Sequence, residues 1–306
     1  MQPISGTLAQ ANSTAEAQAA RGLWSRRFTT FWSAWDARAS AIFLALAICL
    51  MLVPGSLWPD SANEINLMLR HQAPSITGND SQHWLGTDAL GRDMFWRILS
   101  STRLTLLIAG LATVIATVTG TIAGLASGYM RGRTDTIISR FVDIMLAFPV
   151  LLLVLALVAA LGRSVTSVVL VLGLSGWAGY TRVIRSATLT VVEQEFVEAA
   201  QCVGAGRFHI MFRHLLPNVA SPIFVLATLN LASFILTESA ISFLGLGPEP
   251  PSTTWGGLIG DGRNYMFEAW WVTLFPGVAI VLTVLAFNLI GDAIRDAFDP
   301  FANRNR

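Results

Sequence analysis

Lysine is absent from this chain, and all 20 basic residues are arginine. A phosphate-binding P-loop uses its lysine to reach the β- and γ-phosphates, so the chain supplies no standard Walker A site itself. Charge of either sign is scarce. Only 13% of the 306 residues are charged, about half of the roughly 25% usual in soluble domains. The formal net charge is +1, which leaves no global field to hold nucleic acid or gather acidic substrates. The two cysteines, Cys49 in an apolar run and Cys202 in a polar stretch, exclude a disulfide framework and argue against a thiolate metal site. His71, His83, His209 and His214 are scattered over polar segments, so no histidine metal site is expected either.

Apolar residues fill the space left by charge: 53% of the chain is hydrophobic and its mean hydropathy is +0.57. A bilayer core of about 30 Å takes roughly 20 apolar residues per helix. Stretches near 40–58, 104–128, 141–161, 165–185, 218–244 and 271–291 meet that length. The expected fold is an all-α membrane protein with six transmembrane helices. Pro59-Asp60, Arg131-Gly132-Arg133, Gly162-Arg163 and Gly247-Pro248-Glu249-Pro250-Pro251 punctuate the spans. The first run follows a long polar segment and lacks a clear A-x-A site, so it reads as an uncleaved anchor.

Residues 1–20 are polar and read as disordered. Trp24, Phe28, Phe31, Trp32 and Trp35 then recur at helical spacing among Arg21, Arg26, Arg27 and Arg38. That pattern suits a helix lying in the headgroup region, or an amphipathic segment packed on the protein. The expected organisation is a cytoplasmic tail over 1–38, a first span with an extracytoplasmic segment over 39–103, a five-helix domain over 104–291 holding a cytoplasmic loop at 186–217, and a cytoplasmic tail over 292–306. Orientation follows from arginine placement. With the N-terminus inside, fourteen arginines fall in inner segments and six (Arg70, Arg92, Arg97, Arg103, Arg163, Arg263) in outer ones. Both termini and the 186–217 stretch are therefore expected on the cytoplasmic side.

That stretch carries the most specific pattern. Glu193, Glu195 and Glu198 precede Ala199-Ala200; Gly204 follows, then His214-Leu215-Leu216-Pro217. Carboxylates at a helix start complement its dipole, small residues leave a flat docking surface, and glycine permits a sharp exit. In this register, between two spans, the residues resemble the EAA loop of ABC importer permeases. There, a short helix engages a separate ATPase. Leu85-Gly86-Thr87-Asp88 with Gly91-Arg92-Asp93 is similar to a segment of the dipeptide, oligopeptide and nickel permeases. Glu238 to Gly247, Trp255-Gly256, and Leu285 to Asp292 with Arg295-Asp296 and Asp299-Pro300 resemble the same class. The resemblance covers roughly 80–300.

The resemblance implies a type I (MetI-like) permease core, the second membrane subunit of a peptide importer in the bacterial inner membrane. Dipeptides come first as cargo, then oligopeptides or glutathione, with nickel chelates after them. It also implies a homologous second permease subunit, two ATP-binding subunits that hold ATP and Mg, an extracytoplasmic binding protein, and lipid around the spans. No cofactor, metal or catalytic residue is expected in this chain. Glu195, Glu198, Ala199, Ala200, Gly204, His214 and Pro217 are the expected coupling residues; Glu238, Asp88, Arg92 and Trp255 are candidates for the pathway or a gate. Asp88 is also placed to cap the helix running through Phe95-Trp96, and Asp143 to pair with Arg140 one turn away.

Other readings keep a foothold. Gly120, Gly124 and Gly128, and Gly173, Gly176 and Gly179, suit close helix packing, either static or as a sliding surface. Gly173-Leu174-Ser175-Gly176 matches the GxSG of rhomboid proteases, but that chemistry needs a histidine on a neighbouring span. A secondary transporter would show inverted repeats and a broken helix at mid-membrane.

Overall fold

The computed structural model describes residues 35–52, 64–75 and 83–298. The expected interfacial helix around Trp24–Trp32, the Pro59-Asp60 break and the arginines at 304 and 306 lie outside these residues. The helices are α1 (Trp35–Leu52), α2 (Met94–Met130), α3 (Gly132–Ala147), α4 (Val150–Leu161), α5 (Val165–Val192), α6 (Glu195–Cys202), α7 (Ala220–Phe243), α8 (Trp255–Gly262) and α9 (Trp271–Phe298). A helical stretch over 207–218, π-wound from Ile210 to Leu215, leads into α7.

Among the described residues, α2, α5, α7 and α9 are long and apolar enough to cross a membrane. The expected third span is not one straight helix. It breaks between α3 and α4, which meet at 89°. Pro149 is the cause: its ring disfavours helical geometry in the residue before it, and Phe148 is extended (φ −89°, ψ 138°). α4 alone has 12 residues, about 18 Å, short of the bilayer core. Other boundaries shift too. α2 begins ten residues earlier than its apolar run, and its 37 residues extend about 55 Å. α5 runs on to Val192, so the loop expected from 186 begins at 193. α9 continues through 292–298, where a tail is expected.

The closest packing joins α2 to α5. A Cβ on Gly124 would lie 2.8 Å from Ile184 Cβ, and one on Gly128 would lie 2.7 Å from Thr188 Cβ. Gly120 meets Tyr180, so the glycine row of α2 receives residues one helical turn apart on α5. In return Gly173 receives Ile115 and Gly176 receives Phe234, while Gly179 faces open space. Polar ties add to the seam. Arg185 grips Asp135 of α3 through two bonds of 2.6 and 2.7 Å, and Ser127 of α2 donates to the same carboxylate. Asp143 pairs with Arg182 of α5 at 3.2 Å instead of the expected Arg140.

Candidate functional site

The residues singled out in the sequence gather at opposite ends of the bundle. At one end sits α6. Gln194 precedes it in extended geometry without a side-chain cap, and Glu195 and Glu198 occupy its first turn, where unpaired backbone N–H groups favour carboxylates. Its far end closes as a Schellman turn: Gly204 N–H donates to the Gln201 carbonyl and Ala205 N–H to that of Ala200. This requires the left-handed backbone of Gly204, with φ +81°. One residue anchors the helix. Val197 is buried with Leu125 of α2, Ile184 of α5, and Ile210, Met211, Leu215 and Val219 beyond the loop. α6 thus joins, through Val197, the buried cluster at the end of the close-packed α2–α5 pair.

Its outer surface is Glu195, Glu198 and Ala199, with Ala200 half-buried. Val203 is 89% exposed and Phe208 70%, and Phe196 and Phe212 are exposed beside them. His214 is half-buried, its ring 5.6 Å from His209 and 6.4 Å from Phe196, and Pro217 is exposed at the entry to α7. A small, flat helix rimmed by carboxylates and bare aromatic rings is chemically suited to seat in another protein. The apolar rim at Val203, Phe208 and Phe212 was not legible in the sequence. Its signal was large apolar residues within a stretch that is otherwise polar.

The opposite end holds an open cleft of about 1100 Å³ lined by Asp88, Arg92, Arg97, Arg163, Asp261 and Arg263 among others. Asp88 is its knot. The carboxylate accepts from the Leu90 and Arg92 backbone N–H groups, from Arg92 Nε at 2.8 Å, and from Arg97. Burial alone would raise the Asp88 carboxyl, but Arg97, Arg92 and the two N–H groups outweigh it and hold it below its ordinary range. Gly86 and Gly91 both take positive φ, and a Cβ on Gly86 would lie 2.6 Å from the Gln72 carbonyl oxygen. The cap of α2 is Asp93, which accepts from Trp96 N–H at 3.1 Å and bonds His83, and not Asp88 as its sequence position suggested.

Asp88 and Arg92 line the cleft; Glu238 and Trp255 lie behind its wall. Glu238 is fully buried and accepts from Ser242 at 2.5 Å. Trp255 donates its backbone N–H to Thr105 and its indole N–H to the Ile98 carbonyl, fastening α8 to α2. The cleft also recruits Arg163, which binds the Gly245 carbonyl and Glu249 across more than 80 residues of chain. Ser175 donates to the Leu172 carbonyl in its own helix. Among the described residues no three His, Cys, Asp or Glu side chains gather as a metal site.

Residues 116–304 match the family model described as binding-protein-dependent transport system inner membrane component. The chain is 38% identical over 263 residues to the probable D,D-dipeptide transport system permease protein DdpC of Escherichia coli (strain K12), covering 86% of this chain and 87% of that protein. It is 37% identical over 275 residues to the di/tripeptide transport system permease protein DppC of Pseudomonas aeruginosa (strain UCBPP-PA14), covering 88% and 91%. A third similar protein is the glutathione transport system permease protein GsiD of Pectobacterium atrosepticum, 37% identical over 263 residues and 86% of each chain.

Proposed function

The chain belongs to the binding-protein-dependent transport system inner membrane components, multi-pass permease subunits of ABC importers, and on that premise we propose that its cargo is a peptide. Relatives named for D,D-dipeptides, di/tripeptides and glutathione support this reading. Dipeptides come first, then oligopeptides or glutathione. The subunit pairs with a homologous permease chain to enclose the pathway and works with two ATP-binding subunits, on which ATP and Mg bind. An extracytoplasmic binding protein delivers cargo at the cleft. Both termini and α6 lie in the cytoplasm.

The observation that carries the coupling role is the exposed helix Glu195–Cys202, ended by Gly204 and pinned through Val197 to the α2–α5 seam. A push on α6 reaches two spans at once, which suits a rigid-body change between inward-open and outward-open states. Glu195, Glu198, Ala199, Ala200, Gly204, His214 and Pro217 supply or support the contact surface. The test is purification of the tagged chain from native membranes in mild detergent, followed by reconstitution with labelled dipeptide or glutathione. An ATPase and a second permease should copurify with the wild type and be lost with Glu198→Lys, and ATP should drive uptake. Wild-type association and uptake in both Glu198→Lys and Gly204→Asp would overturn the coupling role. Uptake of neither peptide class would overturn the cargo.

A further inference from the structure

Burial along α7 is lopsided. Every buried residue of the helix lies between Ala232 and Ser242. From Ala220 to Leu231 the residues are half-buried or exposed, with Thr228 facing Gly291 of α9. The lower end continues through the π-wound turn to Ile210, Met211 and Leu215, which pack with Val197 of α6. The upper end is clamped. Phe234 fills the space left by Gly176 of α5, where a Cβ would lie 2.5 Å from its ring. The segment 244–262 forms a lid that presses on the same end through two glycines. Gly247 lies against Ser242 and Gly256 against Ser239, each too close to admit a Cβ.

Glu238 sits inside this clamp. One carboxyl oxygen accepts from Ser242 of the same helix, and the Thr254 hydroxyl of the segment that follows approaches the carboxyl; Oε2 has no hydrogen bond of good geometry, nor has the neighbouring Ser239 hydroxyl. A buried polar atom without a partner is costly, and packing alone is better served by an apolar side chain. A π-wound turn is a frequent site of helix adjustment near function. We propose that Glu238 is a positioning residue of the transport cycle. It pins the upper end of α7 to the lid, so α7 acts as a lever whose arm, residues 220–231, swings when α6 is displaced. The free oxygen gives the clamp a second bond to make as the lever tilts. This rests on the ATP-coupled reading above.

The test uses the reconstituted complex with and without ATP, read by hydrogen exchange along α7 and by peptide transported per ATP hydrolysed. In the wild type, exchange over 220–231 should change with nucleotide while 232–243 and 254–262 stay protected in both states. Glu238→Ala should release that upper protection and lower the transport ratio about tenfold, within the span of ordinary coupling energies. Glu238→Gln keeps an acceptor for Ser242 and should restore both. Upper protection and transport ratio unchanged in Glu238→Ala would overturn the proposal. So would a loss that only tracks the yield of assembled complex and is shared by Glu238→Gln. Absence of ATP-driven uptake in the wild type would instead overturn the importer reading.

Discussion

At Asp88 a short motif becomes a fold-determining contact. Its side chain and that of Arg97 are each almost fully buried (3% and 4% exposed), and without Asp88 the Arg97 guanidinium keeps only the more distant Asp261 carboxylate, at 3.7 Å. Removing one partner of a buried pair leaves the other uncompensated, at a cost of about 3–5 kcal/mol. Asp88→Asn should therefore lower the thermal stability of the purified protein, and a melting point unchanged from wild type would contradict the role. The sign with pH follows from the depressed carboxyl. The unfolded chain binds its proton first, so the stabilisation is present above the ordinary value of 3.8 and is lost as pH falls through the lower folded value. Acidification below about pH 4 should destabilise wild type more than Asp88→Asn, as thermal melts at stepped pH would report. Ser175 makes the opposite case. Its hydroxyl is spent on its own helix, so Ser175→Ala should leave uptake unchanged; complete loss of uptake would reopen a reactive role.

Among elements, α2 and α5 form the rigid part. Gly124 has no room for a side chain: a Cβ would sit 3.0 Å from the Thr181 carbonyl oxygen as well as against Ile184. Overpacking a close seam costs about 1–3 kcal/mol, and here the displaced parts are whole helices. Gly124→Leu should spread the seam and unseat Val197, weakening ATPase copurification, whereas Gly179→Ala, at open space, should be silent. Equal ATPase recovery from both variants would argue that the seam does not support α6. The glycine row and the α6 turn were legible because both depend on neighbours in sequence: a four-residue repeat for one, a helix exit for the other. The Asp135–Arg185 tie and the Asp143–Arg182 pair were not, since each joins residues 39 or more positions apart. The depth of Glu238 was hidden for a related reason. Its rise along α7 was predictable, but the lid that covers it comes from the chain after the helix. The third span misled because hydropathy measures composition, while Pro149 acts on backbone geometry.

Across the whole molecule, bare apolar surface does not by itself mark a protein contact, because lipid tails are as apolar as leucine. The backbone break between α3 and α4 is a stronger guide. A helix end leaves its last four carbonyls without intrahelical partners, and non-helical backbone at membrane depth is tolerated only against protein or water. Phe148 is 55% exposed at that break, with Phe141 and Ile144 exposed on α3 and Leu152 on α4. Lipid would leave those carbonyls unsatisfied, so on the proposed pairing the break is expected against the second permease subunit or on the pathway between the two. A photo-crosslinking side chain at Phe148 in the assembled importer should capture the second permease, and the yield should change between nucleotide-free and ATP-bound states if the break moves with the pathway. Adducts with lipid alone, in a complex that still transports, would place the break at the periphery and remove it from the subunit interface. The same logic predicts that the chain made without its partner accumulates poorly, since its exposed break then has only lipid to face.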